Sequence, residues 1–482
     1  MIKRGLASCV GALAFLASRT VAAQPQFTAT SGTPQWLQDR RYNEGIGIRT
    51  GDLEIHPGIA GEFGYDSNWF LRSDKQGADN GPPNTPPIPA LAFRVTPSLY
   101  VSTLGPQRRD GELPTVAFRA GVNATYHAFV GLGSDASQPQ NDVSKQDNIG
   151  GAADARLDIL PSRPWGASLY ANYARSLMPN YALADPNQSF NRDDVGVGGE
   201  LVAQPGGGVG TLDWRFGYQF HDTIFEDSAG TPYDNYTHQI YTRGRWKFRP
   251  RTALVYDATL GFTSYANQSV ALQSGLVDST PVRARIGFNG LITDRFTALA
   301  MVGWGAGFYA NTFSSQPQYD SVIGQAELKW FLAASPGVAA ASDVGLALSS
   351  IAVGYTRDFV NSYLGDYYGS DRGYLKFSYF FAGRALVTLE GGVGAVEYPN
   401  IIWGSVGGPL DGQLRHSAFT DKRVDATLFS EYRFTDTFGL NATLRYTANF
   451  SDAQIFANEQ ESSFYDMSWN RFEAYIGVRW FM

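Results

Sequence analysis

The chain carries almost no sulfur chemistry: among its 482 residues there is a single cysteine, Cys9. Cys9 lies within Met1–Ala23, which has a basic start at Lys3 and Arg4, an apolar run from Leu6 to Ala17, and small residues Val21-Ala22-Ala23 before Gln24. That order marks a secretory signal peptide. Leu6-Ala7-Ser8 ahead of Cys9 looks like a lipid-attachment box, but too few apolar residues precede the cysteine for lipidation. Cleavage after Ala23 leaves a chain without thiols, which excludes disulfides, thiol catalysis and cysteine-held metals. Long hydrophobic runs are missing as well: after Ala23 nothing approaches the roughly 20 apolar residues of a membrane helix. Histidine is sparse (His56, His127, His221, His238, His416), and no two have metal-ligand spacing. No nucleophile elbow or phosphate loop is present, and the dense cluster Pro205-Gly206-Gly207-Gly208 reads as a turn. The expectation is a protein that is not an enzyme, with no cofactor, no metal and no nucleic-acid partner.

What is abundant is alternation. In Trp469–Met482, Phe472, Ala474, Ile476, Val478, Trp480 and Met482 share one strand face, while Arg471, Glu473, Tyr475, Gly477 and Arg479 share the other. A soluble sheet rarely ends its chain on so apolar a strand. In an outer-membrane barrel the apolar face meets lipid and the polar face meets the lumen. Tyr475, Gly477, Trp480 and Met482 resemble the C-terminal signal read by the barrel assembly machinery, with Met482 where phenylalanine is usual.

The same alternation recurs from Leu53 onward, in about eighteen segments, an even number as bacterial single-chain barrels require. Short connections follow every second segment: Pro161–Pro164, Arg249–Arg251, Thr293–Arg295, Gly383-Arg384 and Thr435–Thr437. Long polar connections alternate with them, among them Asp66–Ala90, His221–Asn235, Thr356–Arg372 (after a segment at Val344–Tyr355) and Tyr398–Lys422. Three connections on the short side are looser, Gly105–Thr115, Gln204–Thr211 and Ala333–Asp343. Turns on one side and long loops on the other are the plan of a membrane barrel, with both chain ends in the periplasm. The predicted fold is therefore all-β, a transmembrane antiparallel up-and-down barrel in the outer membrane of a Gram-negative bacterium, contacting its lipid. The predicted division is residues 1–23 as signal peptide, 24–52 as a periplasmic segment and 53–482 as barrel.

The face opposite the apolar one is rich in charge. Candidate pore-lining residues are Arg215, Arg243, Arg245, Lys247, Arg283, Arg285, Arg423, Glu431, Arg433, Arg445, Glu473 and Arg479. Charges enclosed in a barrel of this size must be solvated or paired. Two readings stand: a salt-bridge lattice that stiffens the wall, or a positive track for an anionic solute or polymer. The best candidate track is Arg243, Arg245 and Lys247 with Arg283 and Arg285, which have few acids near them in sequence. Inward Tyr100, Tyr170, Tyr241, Tyr374 and Tyr475 could stack on sugar rings; more often such tyrosines belong to interface girdles.

Arg49-Thr50-Gly51-Asp52-Leu53-Glu54-Ile55-His56-Pro57-Gly58, followed by Gly64-Tyr65-Asp66-Ser67-Asn68-Trp69-Phe70, resembles the porin 2 family of β-barrel outer-membrane proteins. That group includes exopolysaccharide secretion barrels of myxobacteria. The resemblance implies a pore that exports polysaccharide to the cell surface, receiving it from a periplasmic polysaccharide export protein. Two alternatives are a general or solute-selective diffusion porin and a structural or adhesive surface barrel. A conduit predicts a wide lumen, a porin an inward-folded loop with a charge ladder, and an adhesin longer loops.

Overall fold

The computed structural model describes residues 47–73, 87–104, 114–132, 143–177, 190–207, 210–310, 317–332, 349–381, 384–402, 412–456 and 464–482. Alternating segments with apolar outward positions become an 18-strand closed antiparallel barrel. The strands are β1 Leu53–Asp66, β2 Ala90–Thr103, β3 Val116–Gly131, β4 Asn148–Ile159, β5 Trp165–Ser176 and β6 Arg192–Ala203. They continue as β7 Leu212–Phe225, β8 Asn235–Arg249, β9 Thr252–Tyr265, β10 Ser279–Thr293, β11 Phe296–Tyr309 and β12 Tyr319–Phe331. The last are β13 Ser350–Asn361, β14 Tyr367–Phe381, β15 Ala385–Tyr398, β16 Phe419–Arg433, β17 Phe438–Phe450 and β18 Trp469–Phe481. Each pairs with the next, and β1 closes on β18 from Gly58↔Phe481 to Asp66↔Glu473. The three looser connections hide no extra hairpin among the described residues: β2–β3, β6–β7 and β12–β13 each pair directly.

Two boundaries differ from the sequence reading. Ile48–Thr50 pairs with Leu53–Ile55, so the wall begins before Leu53. Gly51, at φ +58, makes the reversal, a conformation glycine adopts without strain. The segment expected at Val344–Tyr355 instead runs from Ser350 to Asn361, so most of the expected loop Thr356–Arg372 is strand. Val344 lies outside the described residues, as do the signal peptide and the segment 24–46.

The exterior is apolar. Ile59, Phe63, Leu169, Val197, Ile286, Val302, Val353 and Val393 all lie exposed at outward positions. Rings cluster near the short turns (Trp165, Trp246, Phe248, Trp330, Phe434, Trp480) and near the opposite rim (Trp304, Phe308, Tyr446, Phe450). So continuous an apolar exterior is far beyond the few hundred Å² a soluble monomer exposes. It matches a hydrocarbon belt flanked by two aromatic girdles. The molecule is a membrane-spanning β-barrel.

Inside, tyrosines are packed by glycines on neighbouring strands. Tyr475 lies against Gly64, Tyr170 against Gly198, Tyr241 against Gly217 and Tyr374 against Gly354. The inward tyrosines are thus wall-packing groups that hold adjacent strands, not free stacking platforms for sugars. A Cβ at Gly64 would overlap both the Tyr475 ring and the Ala474 carbonyl. Gly64→Ala is expected to cost about 1–3 kcal/mol by overpacking and to lower the temperature at which the folded band disappears in a heat-modifiability gel. Unchanged mobility across the temperature series would contradict this packing.

Candidate functional site: the lumen and its outer mouth

Every candidate lumen residue lies at a position alternating with the lipid-facing apolar ones, so each faces the barrel interior. The arginines there are matched by acids. Glu200 on β6 is fully buried and accepts from three strands: Arg156 Nη2 at 2.8 Å, Arg215 Nη1 at 2.9 Å and Arg243 Nη2 at 2.8 Å. Its second oxygen also accepts from the Tyr241 hydroxyl at 3.2 Å. Asp213 takes Arg215 at 3.2 Å and Arg245 at 3.8 Å. Farther round, Arg285 pairs with Asp257 at 2.9 Å and Arg283 with Asp358 at 2.9 Å. Of the two readings of these charges, the pairs fit the salt-bridge lattice. The arginines of the candidate track have acids across the sheet that sequence distance concealed, because β6, β7, β9 and β13 each bring one carboxylate to them. Lys247, half-buried, has no ion pair among the described residues.

The remaining candidates form a second group near the closure. Glu431 binds Arg433 at 2.8 Å and Arg479 at 2.6 Å, and Arg479 and Glu431 are both buried. Glu473 pairs with Arg445 at 3.5 Å and with Arg471 at 3.3 Å. Arg423 donates to Asn449 Oδ1 at 2.9 Å and to the Tyr398 hydroxyl at 3.1 Å. Arg372, also at an inward position, pairs with Asp425 at 2.5 Å and with Glu390 at 3.3 Å. The lumen is a lattice of ion pairs tying strand to strand.

The motif-bearing first strand is clamped to the last at both ends. Asp66 pairs with Arg471, both fully buried, with the Arg471 guanidinium 5.1 Å from the Trp69 ring centroid. Asn68 Nδ2 donates to the Asn470 carbonyl at 2.9 Å, and Phe472 N donates to Ser67 Oγ at 2.8 Å. At the other end Met482 N donates to the Pro57 carbonyl at 3.0 Å, and His56 Nδ1 lies 3.1 Å from the Met482 carbonyl. Of the C-terminal residues, Tyr475 and Gly477 face inward, Gly477 pressed against Glu62, while Trp480 and Met482 are exposed outside.

At the mouth the wall is not regular. Ladder pairing between β12 and β13 stops at Gly324↔Arg357, yet β12 stays paired to β11 up to Tyr319 and β13 stays paired to β14 up to Asn361. The end of the β13–β14 hairpin has left the wall and lies inside the barrel. Phe359 is fully buried, stacked 4.3 Å from Tyr319, in a cradle where a Cβ on Gly305 or Gly307 would come within 3.0 or 3.2 Å of its ring. Arg283 Nη2 donates to the Phe359 carbonyl at 2.5 Å. Asn361 accepts from the Tyr309 hydroxyl at 2.9 Å and donates to Ser279 Oγ at 3.0 Å. The turn, Ser362–Asp366, contains Gly365 at φ +72. Its Tyr363 meets Phe225 and Tyr233 from the β7–β8 side at 5.6 and 5.2 Å, and its Leu364 packs against the cluster of Ile401 and Ala453. The hairpin thus reaches from its own strands across β12 and β11 to β10, and touches loops on both sides of the mouth. Outside the strands there, Asp234 accepts from Phe225 N at 2.7 Å, and burial pushes its carboxyl above the ordinary carboxylate range. The signal sequence reasoning passed over was Gly303, Gly305 and Gly307, three inward glycines on one strand that leave room for a second layer.

Solved structures similar to this chain include an outer membrane protein and a porin. The outer membrane protein OpdK of Pseudomonas aeruginosa is 11% identical, with 89% of this chain and 99% of that chain covered, at a TM-score of 0.43. A BenF-like porin from Pseudomonas fluorescens Pf-5 is 12% identical, with 90% and 99% covered, at 0.42. OccAB3 of Acinetobacter baumannii is 12% identical, with 90% and 100% covered, at 0.44. No family model matches the sequence, and no curated protein matches it.

Proposed function

We propose that the protein is a passive diffusion channel of the outer membrane for small hydrophilic solutes. The inward hairpin carries this reading. It places Asp358, Asn361 and Tyr363 inside the outer mouth, held by Arg283 and Tyr309. A constricted mouth over a charged lattice is the feature a porin needs and a polymer conduit lacks. Export of exopolysaccharide, and with it a periplasmic export partner, is accordingly the weaker reading. The water-accessible part of the lumen lies along Arg245, at 38% side-chain exposure, and Lys376, at 45%, whereas the wall at Arg471 and Arg479 is sealed at 1%. Solutes would pass along the open side. On the same reading Tyr475, Gly477, Trp480 and Met482 belong to the segment presented to the barrel assembly machinery.

Liposome swelling with neutral and charged solutes of graded size tests the reading. Swelling with the smallest sugars and amino acids, falling off sharply with solute size, is the expected outcome. Impermeable liposomes holding correctly folded barrel, together with loss of surface polysaccharide in a deletion strain, would return the export reading.

A further inference from the structure

The place where the hairpin leaves the wall has an unused counterpart. The β12 edge from Tyr319 to Ile323 has no strand partner on its β13 side among the described residues, and the β13 edge from Asp358 to Asn361 has none on its β12 side. Asp320–Ile323 and Asp358–Asn361 match in length and register. Continuing the ladder from Gly324↔Arg357 sets Ile323 opposite Asp358, Val322 opposite Phe359, Ser321 opposite Val360 and Asp320 opposite Asn361. The side-chain pattern of β13 fits that ladder as well. Ile351, Val353 and Tyr355 face lipid, and strict alternation carries Arg357, Phe359 and Asn361 to the same side and Asp358 and Val360 to the lumen. Phe359 therefore has a lipid-facing place beside the exposed Val322, yet it is buried against Gly305 and Gly307.

We propose that the end of the β13–β14 hairpin is a movable strap with two seats, a lumenal one that obstructs the outer mouth and a wall seat in which Asp358–Asn361 zips onto Asp320–Ile323 and clears it. The proposal rests on the channel reading for its consequence, but not for the movement itself. Phe359 exchanges one apolar surrounding for another, since lipid tails solvate a ring about as well as a protein interior does. Leaving the lumenal seat breaks the Arg283–Asp358 pair, the Arg283 bond to the Phe359 carbonyl, the Phe359–Tyr319 stack and the bonds of Asn361 to Tyr309 and Ser279. Taking the wall seat gives two open strand edges their ladder bonds, which matters most where lipid adjoins backbone. Solutes that compete for Arg283 or for the Asn361 amide would bias the strap outward.

The chain offers no competing thiol beyond Cys9, so paired cysteines report the two seats cleanly. Ser279→Cys with Asn361→Cys bridges the lumenal seat, and Ser321→Cys with Val360→Cys bridges the wall seat. Both pairs are oxidised in folded barrel, checked by heat-modifiable migration, and linkage is read on non-reducing gels of a proteolysed sample. We expect both pairs to link. In bilayers the first pair should lose the open-level current until reductant restores it, and the second should hold the open level until reduced. Arg283→Gln added to the second pair should speed its linkage. Failure of Ser321→Cys/Val360→Cys to link while the lumenal pair links would overturn the strap. Linkage of both with identical currents would overturn its role as a gate. A barrel that links both pairs yet passes no current in any state would leave the strap standing and remove the channel reading.

Discussion

Arg471→Leu is expected to be among the most damaging single substitutions in the barrel. It leaves Asp66 fully buried without its counter-charge, 405 residues away along the chain but adjacent across the closure. Breaking a buried pair from one side costs about 3–5 kcal/mol. That is a large share of the stability of a typical fold. The loss falls on the β1–β18 seam, the one contact that converts a long sheet into a barrel. The expected measurement is a folded fraction, read by heat-modifiable gel mobility after refolding into detergent, that drops steeply for Arg471→Leu and recovers in part when Asp66→Asn is added. Full folding of the single variant would show that the pair does not secure the seam.

Glu200→Ala should act in the wall rather than at the seam. Three guanidinium groups converge on this one carboxylate, from β4, β7 and β8. Removing it leaves Arg156 to Asp158 and Arg215 to Asp213, and takes from Arg243 the carboxylate it pairs with. The stability cost is expected to reach about 3 kcal/mol, the lower end for buried pairs, because Arg215 and Arg243 keep partial contact with water. The electrostatic effect is separate. The local excess of positive charge should move the reversal potential toward anions under a salt gradient, more at low than at high salt because screening shortens its reach. Glu200→Gln comes nearest to isolating that effect, since it keeps the side-chain shape and one acceptor oxygen for Arg156 and Arg215 while removing the charge. An unchanged reversal potential in Glu200→Gln would place the cluster away from the permeation path.

Much of this architecture was legible in the sequence because membrane barrels obey a period of two. Arg243, Arg285, Arg372 and Arg479 could be assigned to the lumen from their neighbours alone. The closing strand was legible for the same reason, and so were the turns around Pro250 and Asp294. The partners of the lumen charges were not, because pairing across a barrel depends on strand order and tilt: Glu200 and Arg156 are neighbours across 44 residues, and Asp358 and Arg283 across 75. The motif Tyr65-Asp66-Ser67-Asn68 stood out as a family resemblance. Its physical reason came only from the seam, where Asp66 and Asn68 hold Arg471 and Asn470. The hairpin was missed because the polar stretch Thr356–Arg372 read as a loop, although Thr356–Asn361 and Tyr367–Arg372 are strand. A strand that peels inward keeps its own period while changing what it faces.

The central claim is that this barrel conducts small solutes through a lumen narrowed by the β13–β14 hairpin. Single-channel recording on purified, folded barrel in planar bilayers tests it most directly, comparing the native chain with one lacking Ser362–Asp366. The account predicts discrete conductance steps in the native chain and larger steps once the turn is removed. Silent bilayers from both proteins, with the barrel demonstrably folded and inserted, would contradict it.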